Sequence, residues 1–156
     1  MSGLGTLGVM TTRATIRRFL EAVGARDATA AAALFAMEAT YQNVPYPPVH
    51  GPDGVISTLS EIFAASTEVR WDIISEAYTT GRGHLERVDR FVIDGVEHSV
   101  RCHGVFEVDE TRALITALRD YVDLAPWRAV IEPALEKWRA GQLVHRTAHR
   151  DPNTIG

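Results

Sequence analysis

The sequence predicts an α+β domain in which helices pack against one face of a curved, largely antiparallel sheet. Three observations carry this. Apolar residues recur at helical spacing early in the chain, and from Val69 onward they alternate with polar ones. Within the alternating part, Asp94-Gly95 is a strong two-residue hairpin signal. Helices followed by a run of strands stack as a helical layer on a sheet.

In chain order, residues 1–12 are rich in Gly, Ser and Thr without an apolar period, and are expected to form a loose arm. Ile16, Phe19, Leu20 and Val23 then make the i, i+3, i+4, i+7 stripe of a half-buried helix. Asp27 suits the N-cap of a second, alanine-rich helix carrying Leu34 and Phe35 inward. A short strand is expected over 40–44, cut off by Pro45, Pro47 and Pro48. Gly51-Pro52-Asp53 opens a helix with Val55, Leu59, Ile62 and Phe63 on one face. Strands follow around Val69–Ile73, over 85–92, after the Asp94-Gly95 turn, and over 113–122. Pro126 starts a last helix to about Trp138, and the end from Gly141 is expected to fray. One domain over 13–140, between the arm at 1–12 and a tail at 141–156, is expected.

Composition bounds the function. At 156 residues the chain holds one core, and 46% hydrophobic with 23% charged residues is the balance of a globular protein. No apolar run approaches the ~20 residues of a membrane helix. The start, MSGLGTLGVM, lacks the basic and apolar regions of an export signal. A formal net charge of -4 with no basic block argues against nucleic acid, which demands a positive stripe. The single cysteine, Cys102, excludes an internal disulfide and a cysteine-rich zinc site. A cytoplasmic, mildly acidic domain is expected.

Alternation singles out polar residues in apolar company. Leu85, Arg87, Asp89 and Phe91 share one face of their strand, while Glu86, Val88, Arg90 and Val92 share the other. On the last strand, Asp120 shares a face with Leu114, Thr116, Leu118 and Val122. If both faces turn toward the helices, two carboxylates and a guanidinium meet in an apolar cup. Burying those charges is costly unless they pair, and one shared proton makes the trio neutral. The alternative is a solvated Asp-Arg pair on the surface, worth little. Tyr41 and Asn43 on the short strand could hold a water by donating and accepting hydrogen bonds, or serve only as a buried tyrosine and a turn residue.

The segments YQNVPYPPVHG, ERVD, GVFEV and RDYVDL, in that order and spacing, resemble the limonene-1,2-epoxide hydrolase family from about Ile16 to Leu124. The resemblance implies the cone-shaped α+β barrel of the nuclear-transport-factor-like superfamily, a curved mixed or antiparallel sheet with helices in its concave face. It also implies roles. Asp120 matches the base that takes a proton from water, and Tyr41 and Asn43 match the residues that position that water. Asp89 matches the acid that protonates the epoxide oxygen, and Arg87 the guanidinium bridging the two carboxylates. Leu20, Val23, Ile62 and Phe63 match pocket positions, and alternation adds Val100 and Cys102. Leu118 stands where the family has tryptophan, the Asp94-Gly95 hairpin is shorter, and VRCHG replaces a more aliphatic stretch. The family needs no metal or organic cofactor, acts on small hydrophobic epoxides and forms homodimers through the outer sheet face, where Arg101 and His103 would lie.

Two other function classes remain open at this point: an isomerase or cyclase on the same cone, and a non-catalytic hydrophobic-ligand carrier. The histidines lack ligand spacing; His145 and His149 are four apart, but HRTAH has no zinc-protease glutamate. Cys102 reads as a small buried hydrophobe rather than a nucleophile.

Overall fold

A computed structural model describes residues 2–148. Helix α1 (Ser2–Gly24) and a short α2 (Ala28–Ala32) lead into strand β1 (Phe35–Val44), the two-residue β2 (Val49–His50) and helix α3 (Gly51–Ala65). Strands β3 (Ser66–Thr79), β4 (Arg82–Ile93), β5 (Val96–Asp109) and β6 (Leu114–Val122) follow as a meander. The chain continues through α4 (Leu124–Pro126), a π-helical turn (Trp127–Ile131) and α5 (Glu132–Ala148). The six strands form one sheet in the order β2-β1-β6-β5-β4-β3, antiparallel except where β1 runs parallel to β6. The expected α+β architecture, with a mixed sheet, is what the chain adopts. Asp94 and Gly95 both take positive φ, 50° and 77°, the geometry of the tight hairpin.

Helices α1 and α3 cover one face of the sheet, and Phe19 is the pivot of that packing. Its buried ring meets Phe35, Trp71 and Phe106 edge-on at 5.5, 5.8 and 5.8 Å between centroids. Of the residues expected as a loose arm, 2–12 are instead the first three turns of α1. They are held by polar contacts that an apolar period does not register. Thr12 is fully buried and accepts from Gly81 N at 2.9 Å, and Thr80 donates to the Gly5 carbonyl at 3.2 Å. Further along, Arg13 and Arg17 both pair with Glu76 of β3.

Other boundaries move too. Asp27 does cap α2, accepting from Ala30 N at 2.8 Å, but the helix stops at Ala32 and Phe35 already belongs to β1. The strand expected over 40–44 therefore starts five residues earlier, with an irregularity before Thr40. Helix α5 runs through Gly141 to Ala148, so the tail expected from residue 141 is helical that far; residues 149–156, His149 included, lie outside the described residues. A single glycine costs a helix only about 1 kcal/mol and need not end it.

Alternation places the polar residues. On β4, Gly83, Leu85, Arg87, Asp89, Phe91 and Ile93 all turn inward. On β5 the inward set is Val100, Cys102, Gly104, Phe106 and Val108. The last strand departs from strict alternation. A bulge opposite Glu107–Val108 makes Thr116 the extra residue, so Ile115 packs in the core while Leu114 and Thr116 are half-buried. Beyond the bulge, Leu118 and Asp120 are buried on the inner face.

Gly104 lies on β5 directly across from Asp120 and two residues from Cys102, the partner of Arg87. A methyl group there would run into Arg87 Nη1 and sit 2.9 Å from Asp120 Oδ1. Only hydrogen leaves the guanidinium room to reach across β5. Gly104→Ala is expected to destabilise the fold by about 1–3 kcal/mol through overpacking. Urea unfolding checks this, and an unchanged midpoint contradicts it.

Candidate active site

Three strands bring the site together. Arg87 and Asp89 stand two apart on β4, so both point inward, and Asp120 comes from β6 beyond β5. Tyr41 and Asn43 lie two apart on β1, where Asn43 is in register with Asp120. Arg87, Asp89, Asp120 and Tyr41 are buried to 0, 4, 1 and 4% exposure. The solvated-pair alternative is therefore excluded for this trio.

Arg87 bridges the two carboxylates. Its Nε donates to Asp89 Oδ1 at 2.7 Å, and Nη2 lies 3.2 Å from Asp89 Oδ2 and 2.9 Å from Asp120 Oδ2. Tyr41 donates its hydroxyl to the same Asp120 Oδ2 at 3.2 Å. Both donors thus converge on one oxygen of Asp120. The other, Oδ1, is buried without a hydrogen bond, as is Arg87 Nη1. Both of these atoms lie against Gly104 of β5, which offers them no side-chain partner.

Burial, foremost, pushes the Asp89 carboxyl up to about 6, against the pull of the Arg87 charge and hydrogen bonds. Asp89 is thus an acid able to keep its proton well above the ordinary aspartate range. Burial works against the Arg87 charge, but Asp120 and Asp89 outweigh it, and the guanidinium is held charged. Burial raises the Tyr41 phenol, with Asp120 adding to the rise, so Tyr41 remains a donor. Cys102 is raised in the same way, chiefly by burial, and is no thiolate.

Beside the trio lies a cavity of about 50 Å³. Its polar wall is Tyr41, Asn43, Asp89 and Asp120; its apolar wall includes Ile62, Val100, Phe91 and two tryptophans, Trp71 and Trp127. A second cavity of about 120 Å³, on the side of Tyr46 and Leu124, shares Asn43, Val122 and Trp127 with it. A wider concavity of about 510 Å³ opens among outer-face residues such as Ile74, Arg101, His103 and Tyr121, and does not include either aspartate of the trio.

Of the expected pocket residues, Ile62 and Val100 line the inner cavity and the others do not. Val23, Phe63 and Leu118 are spent in the core, and Leu20 packs against it half-buried. Cys102 is buried on the neighbouring strand and borders the outer concavity. The helical stripe identifies which residues face the sheet but not which face its polar end. Trp71 and Gly104 were missed. Trp71 alternates like any core residue, and only its pairing with Asp89 across β3 and β4 would have signalled it. Arg101 and His103 face outward, as alternation requires. Among the described residues, no three His, Cys, Asp or Glu side chains cluster to hold a metal ion. Nor is any described helix long and apolar enough to cross a membrane.

Solved structures with the same fold include two described as SnoaL-like polyketide cyclases. The one from Shewanella denitrificans OS-217 has a TM-score of 0.69 at 10% identity, covering 78% of this chain and 97% of its own. The one from Shewanella putrefaciens CN-32 has a TM-score of 0.69 at 10% identity, covering 78% and 96%. Bal32a, from a soil-derived mobile gene cassette, has a TM-score of 0.65 at 16% identity, covering 77% and 95%. At such identities the likeness is one of fold. The sequence itself is more specific: residues 10–128 match the model of the limonene-1,2-epoxide hydrolase catalytic domain, a stretch that holds every member of the buried trio together with Tyr41 and Asn43. The chain belongs to the limonene-1,2-epoxide hydrolase family.

Proposed function

We propose that the protein is an epoxide hydrolase that adds water to a cyclic or other hydrophobic epoxide in one step, without a cofactor, giving a vicinal diol. The observation that supports this best is the unequal setting of two carboxylates bridged by one guanidinium beside an apolar cavity. Asp120, with a free Oδ1, is the general base; Tyr41 and Asn43 hold the water next to it. Asp89, raised to about 6, is the general acid for the epoxide oxygen.

The step balances within the trio. As the water oxygen bonds to carbon, its proton passes to Asp120 Oδ1, the carbon–oxygen bond of the ring breaks, and the Asp89 proton goes to the departing oxygen. Before the step Asp120 and Arg87 carry the opposite charges; afterwards Asp89 and Arg87 do. The net charge of the buried trio stays at zero, so no uncompensated charge develops in the low-dielectric interior. The body of the substrate extends past Trp127 toward the neighbouring cavity. We further propose a homodimer through the outer sheet face, where Ile74 and Tyr121 are 53% and 50% exposed, and a cytoplasmic location that suits the lone buried thiol.

A second reading, an isomerase or cyclase of the same fold, draws on the Tyr41–Asp120 hydrogen bond, since one aspartate beside a phenol could move a proton next to a carbonyl. It leaves the Asp89–Arg87 fork without a task.

Purified protein is expected to convert a cyclic or aryl epoxide to the diol, with Asp89→Asn and Asp120→Asn each folded but slower by at least ~10²-fold. Chiral chromatography of the products checks this. Inactivity of the wild type over a broad epoxide panel favours the carrier or isomerase readings. In a single turnover in ¹⁸O-water, the label is expected in the diol at once. Unlabelled oxygen in that first product would instead reveal attack by an enzyme carboxylate through an ester.

A further inference from the structure

We propose that Trp71 is a positioning residue of this reaction: its indole face holds the Arg87 guanidinium flat between the two aspartates and keeps water off the Asp89 carboxyl. The inference rests on the reading above and extends it to a residue outside the quoted motifs.

A guanidinium is planar. Hydrogen bonds in its plane fix where its edges point, but they resist tilting of the plane only weakly. Arg87 uses its Nε and Nη2 edges on Asp89 and Asp120, and Nη1 has no partner. What stops the tilt is a contact on the face. Trp71 supplies it, with Arg87 Cζ 4.0 Å from the indole centroid, inside the range of a cation–π contact.

Trp71 is itself well fixed. It stands on β3 in register with Asp89, and Phe19 meets it edge-on at 5.8 Å and 66°. It also lines the inner cavity beside Asp89. The indole N–H is buried with no hydrogen bond, a desolvation cost that a phenylalanine or leucine filling the same space would avoid. Filling space is therefore a poor account of the residue, whereas a broad, electron-rich face over a buried cation is a good one.

The consequence falls on Asp89. The groups facing its carboxyl are Arg87 on its own strand, Tyr41 from β1, Cys102 from β5 and Asp120 from β6, while Asp72 of β3 acts on it only as a charge from the outer sheet face, where it pairs with Arg90. Helix α3 and the π-helical turn bring only Thr58, Leu59, Ile62 and Trp127 to the cavity wall. Removing the indole keeps the in-plane hydrogen bonds between Arg87 and Asp89, but frees the guanidinium to tilt and admits water. The carboxyl then loses the dry setting that is the largest cause of its raised value.

The test follows Asp89 by carboxyl ¹³C NMR titration and by the pH profile of epoxide turnover, in wild type, Trp71→Phe and Trp71→Leu. Phenylalanine keeps an aromatic face and is expected to leave the Asp89 midpoint within ~0.3 units. Leucine is expected to lower it by roughly one unit, to move the basic limb of the rate profile down with it, and to reduce kcat about tenfold with KM little changed. Trp71→Met serves as the ring-less variant if leucine does not fold. An unmoved midpoint in the ring-less variant, or phenylalanine behaving like leucine, overturns the proposal. The NMR arm requires no substrate, so it decides the role of Trp71 even if the epoxide reading fails.

Discussion

Three charged groups withdrawn from water in one place constrain everything around them. Each of Arg87, Asp89 and Asp120 would cost several kcal/mol if buried alone, and removing one member strands the others at about 3–5 kcal/mol. They are tolerable together because Arg87 is bonded to both carboxylates and because one proton on the pair brings the sum to zero. Asp89, raised to about 6 chiefly by burial, is a member able to hold that proton. An acid and a base held side by side at the same pH are what water addition to an epoxide requires.

The fold serves this trio at points that look unrelated in sequence. Parallel pairing of β1 with β6 sets Asn43 beside Asp120, while the β4–β5–β6 meander puts one strand between the partners of the ion pair. That intervening strand offers Gly104, the position where a side chain would block Arg87. From the other side Trp71 closes the face of the guanidinium, and Phe19 of α1 supports Trp71. The family match and the cone fold fit this arrangement, but the chemistry lives in these contacts and not in the fold, which the SnoaL-like structures share at 10% identity.

Much of this was legible in the letters. Period-two alternation put Arg87 and Asp89 on one face, Asp94-Gly95 located the hairpin, and the YQN and RDYVDL segments carried the family. What escaped has physical reasons. The first turns of α1 are secured by Thr12 and Thr80 through hydrogen bonds, which leave no hydrophobic period. A bulge at Thr116 shifts the alternation by one residue, so Ile115 and not Leu114 reaches the core. Leu20, Val23 and Phe63 were rightly placed on helix faces, but a face toward the sheet is mostly core, and only its polar end is cavity. Trp71 and Gly104 matter through pairing registers, which a single sequence does not display.

The central claim is the location of one proton, and infrared difference spectroscopy reads it directly. At about pH 5, between the ordinary aspartate value and the raised value of Asp89, exposed carboxyls absorb alike in both proteins, so the wild-type minus Asp89→Asn difference should leave one protonated-carboxyl stretch. If that difference holds no such band, then Asp89 does not hold the proton and the acid–base account of the site is wrong.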